Sequence, residues 1–469
     1  MRKFAFSLLI LLSAATFGQQ REVHILSAND MHATIEAMPR VAAIADSLRR
    51  LYPSLLVLSA GDNRTGNPLS DMYQPSGYPM VALMNQIGFN ASALGNHEFD
   101  MNSLSALIGL SNFRYLCANI TADDSTGIRP LPYQAFDVEG LKVGIIGLTQ
   151  YGRHGRPDTH PDNLHGLHFK PPMEVVGRYE WLSRQCDATI LLSHIGYKED
   201  TLMAATFPWI DLIVGGHSHT QLKGDEVHHG VLITQNSNKL PKVTHITLTV
   251  EDGRVVGKQA EYISIKQRTS TNRVVAEMVQ RFCDNPDFKR VLAQASMPFG
   301  NIYELGCMVC DAYIEETGAD VAIQNYRGIR MESLPAGDIT VHDVLQIDPF
   351  CNATFELTVT GRQLYTLVER YSKMDIYHFP HLGGLRAQLT LDEDDPTVIK
   401  KIKLLAADGG KFDMKRTYRV VTNSYVAAAC KAYGLVSTRL NMETSALIMR
   451  YLERKGTVNY QGVNRIEMK

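Results

Sequence analysis

Seven side chains of metal-ligand type, Asp30, His32, Asp62, Asn96, His194, His217 and His219, stand directly after short apolar runs. The run 23–28 delivers Asn29-Asp30-Met31-His32, the run 55–60 delivers Gly61-Asp62-Asn63, and the run 91–94 delivers Gly95-Asn96-His97-Glu98. Further on, 189–193 delivers His194, and 211–214 delivers Gly215-Gly216-His217-Ser218-His219. Aspartate and histidine bind borderline divalent cations well, and asparagine adds a neutral oxygen. Two cations in a dimetal site sit roughly 3.5–4 Å apart, commonly bridged by one carboxylate. Asp62, on its own run between the other ligands, is the natural bridge. Asp30 and His32 are one residue apart and could reach the same cation from an extended loop. His217 and His219 share that spacing and could serve different cations if the backbone turns after the glycine pair, with Asn96 and His194 completing the second site. The chemistry implied is hydrolysis at a two-metal centre.

The elements that must position these groups follow from hydropathy. Continuous apolar runs read as buried strands, and in α/β folds ligands gather beyond the carboxyl ends of such strands. Between the runs the pattern turns helical. Residues 39–51 put Val41, Ile44, Ala45 and Leu48 on one face after Pro39, and residues 79–88 group Met80, Leu83, Met84 and Ile87 before Gly88. Residues 141–149 are another buried strand. This alternation predicts a layered α/β domain over residues 22–265. Residues 150–172, rich in Gly, Pro, His and Asp, read as a long surface loop in which most of histidines 154, 160, 165 and 168 are expected to be solvated, the alternative being that one of them approaches the metals. Residues 266–295 read as a helical connector with Val274, Met278 and Phe282 on one face. A second, smaller α/β domain then spans 296–469, with helical 306–317, strand-like 320–323, an amphipathic stretch after Gly361 and strand-like 418–422.

With 469 residues, two domains are the natural division. The formal net charge of −2 and the lack of a basic block argue against a nucleic-acid polymer or an anionic membrane as partner. Residues 1–18 have the layout of a secretory signal peptide: Arg2-Lys3, a short apolar stretch, then small residues, with cleavage between Ala15 and Gln19. That stretch is too short to span a bilayer and no later run approaches that length. The chain is therefore expected to be exported, to the periplasm or outside the cell. Seven cysteines leave at least one thiol free or paired between chains, and the lone pair Cys307/Cys310 reads as buried core.

The order D-x-H, GD, GNHE, H, GHxH resembles the calcineurin-like metallophosphoesterases. Gly95-Asn96-His97-Glu98-Phe99-Asp100 brings it closer to the 5'-nucleotidase and 2',3'-cyclic phosphodiesterase family. The resemblance implies a layered metallophosphoesterase β-sandwich flanked by helices, followed by a substrate-binding domain. It implies one metal held by Asp30, His32, Asp62 and His219 and another by Asp62, Asn96, His194 and His217, with zinc, manganese, iron or cobalt all suited to such ligands. It also implies that His97 contacts the phosphoryl group and Asp100 orients it, while metal-activated water attacks in line. Glu98 is expected to be structural.

In the second domain, Gln324-Asn325-Tyr326-Arg327-Gly328-Ile329-Arg330 resembles the family's NGGGIR loop, with Tyr326 and Arg327 in place of two glycines. Asp348-Pro349-Phe350 resembles the segment whose Phe stacks on the base, and Tyr425 could form the other face of an aromatic clamp. Where the family has GGDG after that aromatic, this chain has Ala429-Cys430-Lys431-Ala432. The resemblance makes Asn325, Arg330, Phe350 and Tyr425 the substrate contacts. The expected activity is release of phosphate from nucleotides. Alternatives are 2',3'-cyclic nucleotides, nucleotide sugars or other phosphate esters; further off stand a thiosulfohydrolase-like enzyme and an inactive binding protein.

Overall fold

The computed structural model describes residues 20–284, 286–350 and 352–469. The proposed signal peptide lies outside the described residues. The first half builds two six-stranded sheets. One runs, in spatial order, Arg254–Ser264, Lys242–Glu251, Arg21–Ala28, Leu56–Ser59, Ala91–Ala93 and Arg114–Leu116. The other runs Glu226–His228, Val231–Thr234, Leu212–Gly215, Ala188–His194, Leu141–Thr149 and Tyr133–Val138. Their inner faces share one core in which Val23, Ile25, Leu56, Leu58, Ile145, Ile190, Leu212, Val214 and Ile246 meet. The outer faces are covered by helices. Met38–Leu51 and Tyr78–Ile87 pack on the first sheet through Val41, Ala45, Leu83 and Met84, and Tyr197–Thr206 packs on the second through Met203 and Ala204. Burial on both faces is why these strands read as unbroken apolar runs.

Within each sheet the central strands are parallel, so their carboxyl ends share an edge. Arg21–Ala28, Leu56–Ser59 and Ala91–Ala93 run side by side in one sheet, Ala188–His194 and Leu212–Gly215 in the other. All five candidate ligand segments therefore leave from the same edge of the sandwich.

The helix after the sandwich, Arg273–Cys283, buries Val275 and Val279, while Val274 is exposed. In the sequence Val274, Met278 and Phe282 stand at near-helical spacing. The actual buried face is turned by one residue because the helix packs on both Met38–Leu51 and Tyr78–Ile87, with Met278 and Phe282 half-buried at its margin. Beyond it lies a five-stranded sheet ordered His381–Gly383, Val321–Gln324, Thr417–Asn423, Ala353–Thr360 and Ser437–Glu443. Helix Ile302–Thr317 packs on one face of this sheet, burying Cys307 and Cys310 in the core. Cys117, Cys186, Cys283, Cys307, Cys310 and Cys430 form no disulfide. Strand Val291–Ala295 pairs with Gly337–Thr340 and Thr457–Val458, which ties the end of the 266–295 segment into this half of the molecule.

A buried carboxyl braces the edge that carries the site. Asp200 is fully buried and accepts a hydrogen bond from Ser193 Oγ, next to His194. Burial pushes its carboxyl up to about 8 despite that bond. An unfolded Asp ionises near pH 4 (about 3.9), so between there and about 8 the folded chain holds a proton the unfolded chain has lost. The stability Asp200 contributes is therefore full at the acid end of this window and falls as pH rises through it. Asp200→Asn, a neutral isostere, should remove this slope: measured by calorimetry, its Tm relative to the wild type rises from pH 5 to pH 8. A difference that stays flat with pH would show that Asp200 is ionised in the folded state.

Candidate active site

The segments leaving the strand edge are bent back on themselves. Asp30, His32, Asp62, His217 and His219 have φ of 47°, 43°, 51°, 74° and 55°. The left-handed region is disfavoured for side chains with a Cβ and is occupied where surrounding structure enforces it. Here the enforcement is a lacing of backbone bonds between the first two turns: Asp30 N donates to Gly61 O (3.0 Å), His32 N to Asp62 O (2.9 Å) and Ala33 N to Asn63 O (2.8 Å). Gly95 is required by the same crowding, because a Cβ there would lie 2.1 Å from Asp62 Oδ1.

Glu98 organises the centre from below. Its carboxylate accepts from the backbone N–H of Asp62 (2.8 Å), Asn63 (2.8 Å) and Gly95 (2.6 Å). Asp62 Oδ1 in turn accepts from His97 N at 2.8 Å. Asp62, His32, His194 and Asn96 are each aimed by a bond made beside or behind the site. His32 Nδ1 donates to Thr65 O (3.0 Å) and His194 Nδ1 to Ala60 O (2.7 Å), which leaves both Nε2 lone pairs pointing inward. Asn96 Nδ2 donates to Asp158 O (3.2 Å), turning its carbonyl oxygen toward His217 Nδ1 at 3.0 Å.

These inward atoms form three overlapping groups that could hold a cation: Asp30, His32 and His219; Asp30, Asp62 and His194; and His32, Asp62 and His97. His219 Nε2 lies 3.3 Å from Asp30 Oδ1 and 3.2 Å from His32 Nε2. His194 Nε2 is buried without a hydrogen-bond partner, yet it faces Asp62 Oδ2 at 3.2 Å. With Nδ1–H committed to Ala60, a neutral His194 opposes its lone pair to a carboxylate. Such a contact is repulsive unless positive charge lies between. In the bare protein a proton answers that demand: burial opposes charging His194, but Asp62, Asp30 and Glu98 outweigh it and raise its pKa to about 10. Two buried carboxylates, imidazole nitrogens and an amide oxygen fit borderline divalent cations.

Beside this centre His97 Nδ1 pairs with Asp100 Oδ2 at 2.8 Å, and Asp100 Oδ1 accepts from Thr159 Oγ1 at 2.5 Å. Burial opposes the charged imidazole, yet Asp62 and Asp100 together hold the His97 pKa above its ordinary value. From the second domain, Arg330 Nη2 reaches 3.3 Å from His32 Nδ1, and its guanidinium lies over Phe350 (5.8 Å). Phe350 stacks near His97, centroids 6.1 Å apart with planes at 27°. Lys239 Nζ, from the loop beside Asp30, donates to Arg330 O at 2.7 Å.

The sequence-predicted residues divide accordingly. Asp30, His32, Asp62, Asn96, His97, Asp100, His194, His217 and His219 converge at the strand edge, with Arg330 and Phe350 against them. Asn325 is engaged elsewhere: its Oδ1 accepts from Asn423 Nδ2 at 2.7 Å. Tyr425 is 40% exposed at the start of helix Ser424–Ala432, with no ring contact to Phe350 among the described residues. Sequence reasoning missed Asp158 and Thr159. They lie in the 150–172 loop, which reaches the site through a backbone carbonyl and one hydroxyl, groups that leave no trace in a motif.

Two family models match this chain: the calcineurin-like phosphoesterase over residues 23–221 and the 5'-nucleotidase C-terminal domain over residues 290–437. The chain thus matches a calcineurin-like phosphoesterase domain followed by a 5'-nucleotidase C-terminal domain. A 5'-nucleotidase of Vibrio cholerae is 28% identical over 464 residues, covering 82% of this chain and 78% of the relative. The trifunctional nucleotide phosphoesterase protein YfkN of Bacillus subtilis is 24% identical over 486 residues, 88% of this chain and 32% of that much longer protein. The crystal structure of a 5'-nucleotidase precursor from Thermus thermophilus shares the fold, with a TM-score of 0.83 at 24% identity, covering 96% of this chain and 99% of that one. These matches make the protein a metal-dependent phosphoric ester hydrolase, and calcineurin-like phosphoesterases use divalent metals.

Glu98 offers a test of how the centre is held. In Glu98→Gln an amide N–H₂ must face backbone donors, and a buried donor left unpaired costs about 1–3 kcal/mol. The variant is expected to unfold at lower temperature and to retain less metal after gel filtration, measured by elemental analysis. Unchanged metal content would mean that Asp62 is positioned without Glu98.

Proposed function

We propose that the protein releases phosphate from nucleotides, using Asp30, His32, Asp62 and His219 for one divalent cation and Asp62, Asn96, His194 and His217 for a second. The observation that supports a nucleotide over a generic ester is the approach of the second domain. Phe350 and Arg330 lie directly on His97 and His32, so an aromatic face and a fixed cation meet the hydrolytic centre from one side. When bound, the cations would supply Lewis-acid charge and lower the pKa of an attacking water.

The protein's own residues do the rest. Asp100 fixes the His97 tautomer by accepting from Nδ1, and Thr159 fixes Asp100. Nε2 of His97 is then left as the donor toward a phosphoryl or leaving-group oxygen, where an imidazolium stabilises developing negative charge. Arg330, stacked on Phe350, presents donors to the same phosphoryl oxygens, and a guanidinium matches phosphate geometry bidentately. Glu98 keeps Asp62 from moving as charge redistributes. In-line displacement needs no covalent phosphoenzyme. The reading extends to domain roles, with residues 22–265 carrying the hydrolytic centre, 266–295 connecting and 296–469 holding the leaving group. It also includes export directed by residues 1–18. No helix among the described residues is long and apolar enough to cross a membrane.

The decisive assay is phosphate release from AMP, UMP, 2',3'-cyclic AMP, UDP-glucose and an aryl phosphate, after chelation and again with Mn²⁺ or Zn²⁺ restored. Metal-dependent turnover favouring nucleoside monophosphates is expected, with Asp100→Asn lowering kcat by about 100-fold. Turnover of the aryl ester alone would move the substrate class elsewhere.

A further inference from the structure

The chain passes from the second sheet of the sandwich to the first between strand Val231–Thr234 and strand Lys242–Glu251. This passage, residues 235–241, carries none of the candidate ligands, yet it is bonded to the turns that do. Gln235 is buried; its Oε1 accepts from Thr220 N (2.6 Å) and Ser218 Oγ (2.8 Å), and its Nε2 donates to Gly216 O (3.0 Å). One side chain thus closes the turn that bears His217 and His219. Asn236 N donates to Asn29 Oδ1 (2.8 Å), and Asn29 Nδ2 donates to Asp30 Oδ2 (2.7 Å). Lys239 N donates to Asp30 O at 2.9 Å. The passage is fastened at three points to residues around the candidate metal centre.

Lys239 and Leu240 are both left-handed, with φ of 61° and 52°. Such conformations persist where the surroundings enforce them. Here the backbone bond to Asp30 holds one residue, and burial of Leu240 in the core beneath the helices holds the other. The Lys239 side chain is left to cross to the second domain, where its Nζ donates to Arg330 O at 2.7 Å. Among the described residues this is its one side-chain hydrogen bond.

Arg330 is thereby located through its backbone from both halves of the molecule. Its N–H donates to Ile347 O (2.9 Å), at the end of the helix Val341–Ile347 that leads into Phe350, and its carbonyl accepts from Lys239. With both main-chain groups committed, the guanidinium is delivered to one place. Nη2 lies 3.3 Å from His32 Nδ1, and the guanidinium carbon lies 5.8 Å from the Phe350 centroid. Misplacing a reacting or clamping group by about 1 Å can cost about 100-fold in rate, even when the altered residue is remote from the chemistry.

We propose that Lys239 is a positioning residue for the hydrolysis: a side chain of the first domain that fixes Arg330 of the second against the metal centre and acts on the substrate only through it. This rests on the reading of Arg330 as a phosphoryl contact. Lys239 bears on the metal loop through its backbone N–H alone, so replacing its side chain separates the two roles.

The test is a double-substitution cycle on the metal-loaded protein, reading kcat/KM for AMP and for phenyl phosphate. Arg330→Met is expected to lose about 100-fold, as for removal of one donor to developing charge. Lys239→Met should lose about ten-fold, as for one hydrogen bond made by a charged group, and nothing further in the Arg330→Met background. Lys239→Arg should recover most of the activity, because the task is a single donor to a carbonyl. Metal content of Lys239→Met, by elemental analysis, should match the wild type; a lower content would make the side chain part of the metal cradle and overturns the proposal. Losses that add in the double variant, or full activity of Lys239→Met beside an impaired Arg330→Met, overturn it and leave Arg330 as the phosphoryl contact. An unaffected Arg330→Met overturns the reading of Arg330 and the proposal with it. If AMP is not turned over while phenyl phosphate is, the nucleotide reading fails and the cycle on phenyl phosphate decides the role of Lys239.

Discussion

Two carboxylates, Asp30 and Asp62, are buried at the shared edge of two sheets, facing the imidazoles of His219 and His194. Buried charge of one sign is the most expensive thing a fold can hold unless it is paired, and much of the surrounding structure answers to it. His32 and His194 are held with Nδ1 donating outward to backbone carbonyls so that Nε2 faces the carboxylates. His194 makes the demand visible, because it must take up a proton when nothing else supplies positive charge. The left-handed backbone at five of the seven candidate ligands belongs to the same constraint. Conformations that cost of order 1–3 kcal/mol each persist where a bound group and a rigid scaffold repay them.

Glu98 shows how this strain is contained. A third acid placed against Asp62 would worsen the electrostatics, and Asp62 does contribute, after burial, to raising the Glu98 pKa. The carboxylate is retained because it satisfies three backbone donors exposed by the turns at Asp62 and Gly95, which no neutral side chain can do at once. A positive centre above Asp62 would ease the repulsion between them. A bound cation would therefore favour the same cradle.

Much of this was legible in the sequence. Parallel buried strands give continuous apolar runs, so the positions where Asp30, Asp62, Asn96, His194 and His217 leave the sheet edge could be read by eye, and the layered α/β fold with them. What could not be read depends on contacts without a residue signature. Asp158 acts through its backbone carbonyl and Thr159 through a hydroxyl, in a loop whose histidines drew attention for no structural reason. Helix Arg273–Cys283 buries Val275 and Val279 where it packs on two helices, a face that the spacing of Val274, Met278 and Phe282 does not disclose. Asn325 matched a substrate motif, but the polar network of Gln324 and Asn423 claims its side-chain oxygen. A motif names a residue; only packing decides which way it faces.

The interface between the domains follows from the same electrostatics. Arg330 brings positive charge within hydrogen-bonding range of His32, an arrangement that burial and the neighbouring imidazoles make unfavourable for a charged His32. Arg330 is tolerated because Asp62, Asp100 and Asp30 lie within reach and because Phe350 covers its face. Its planar, permanently charged head lets it answer the carboxylates on one side and stack on Phe350 on the other. A lysine, more strongly hydrated and without a stacking face, would be poorly suited to both tasks. Arg330 thus carries positive charge across the domain boundary to His32, balanced by the carboxylates of Asp62, Asp100 and Asp30.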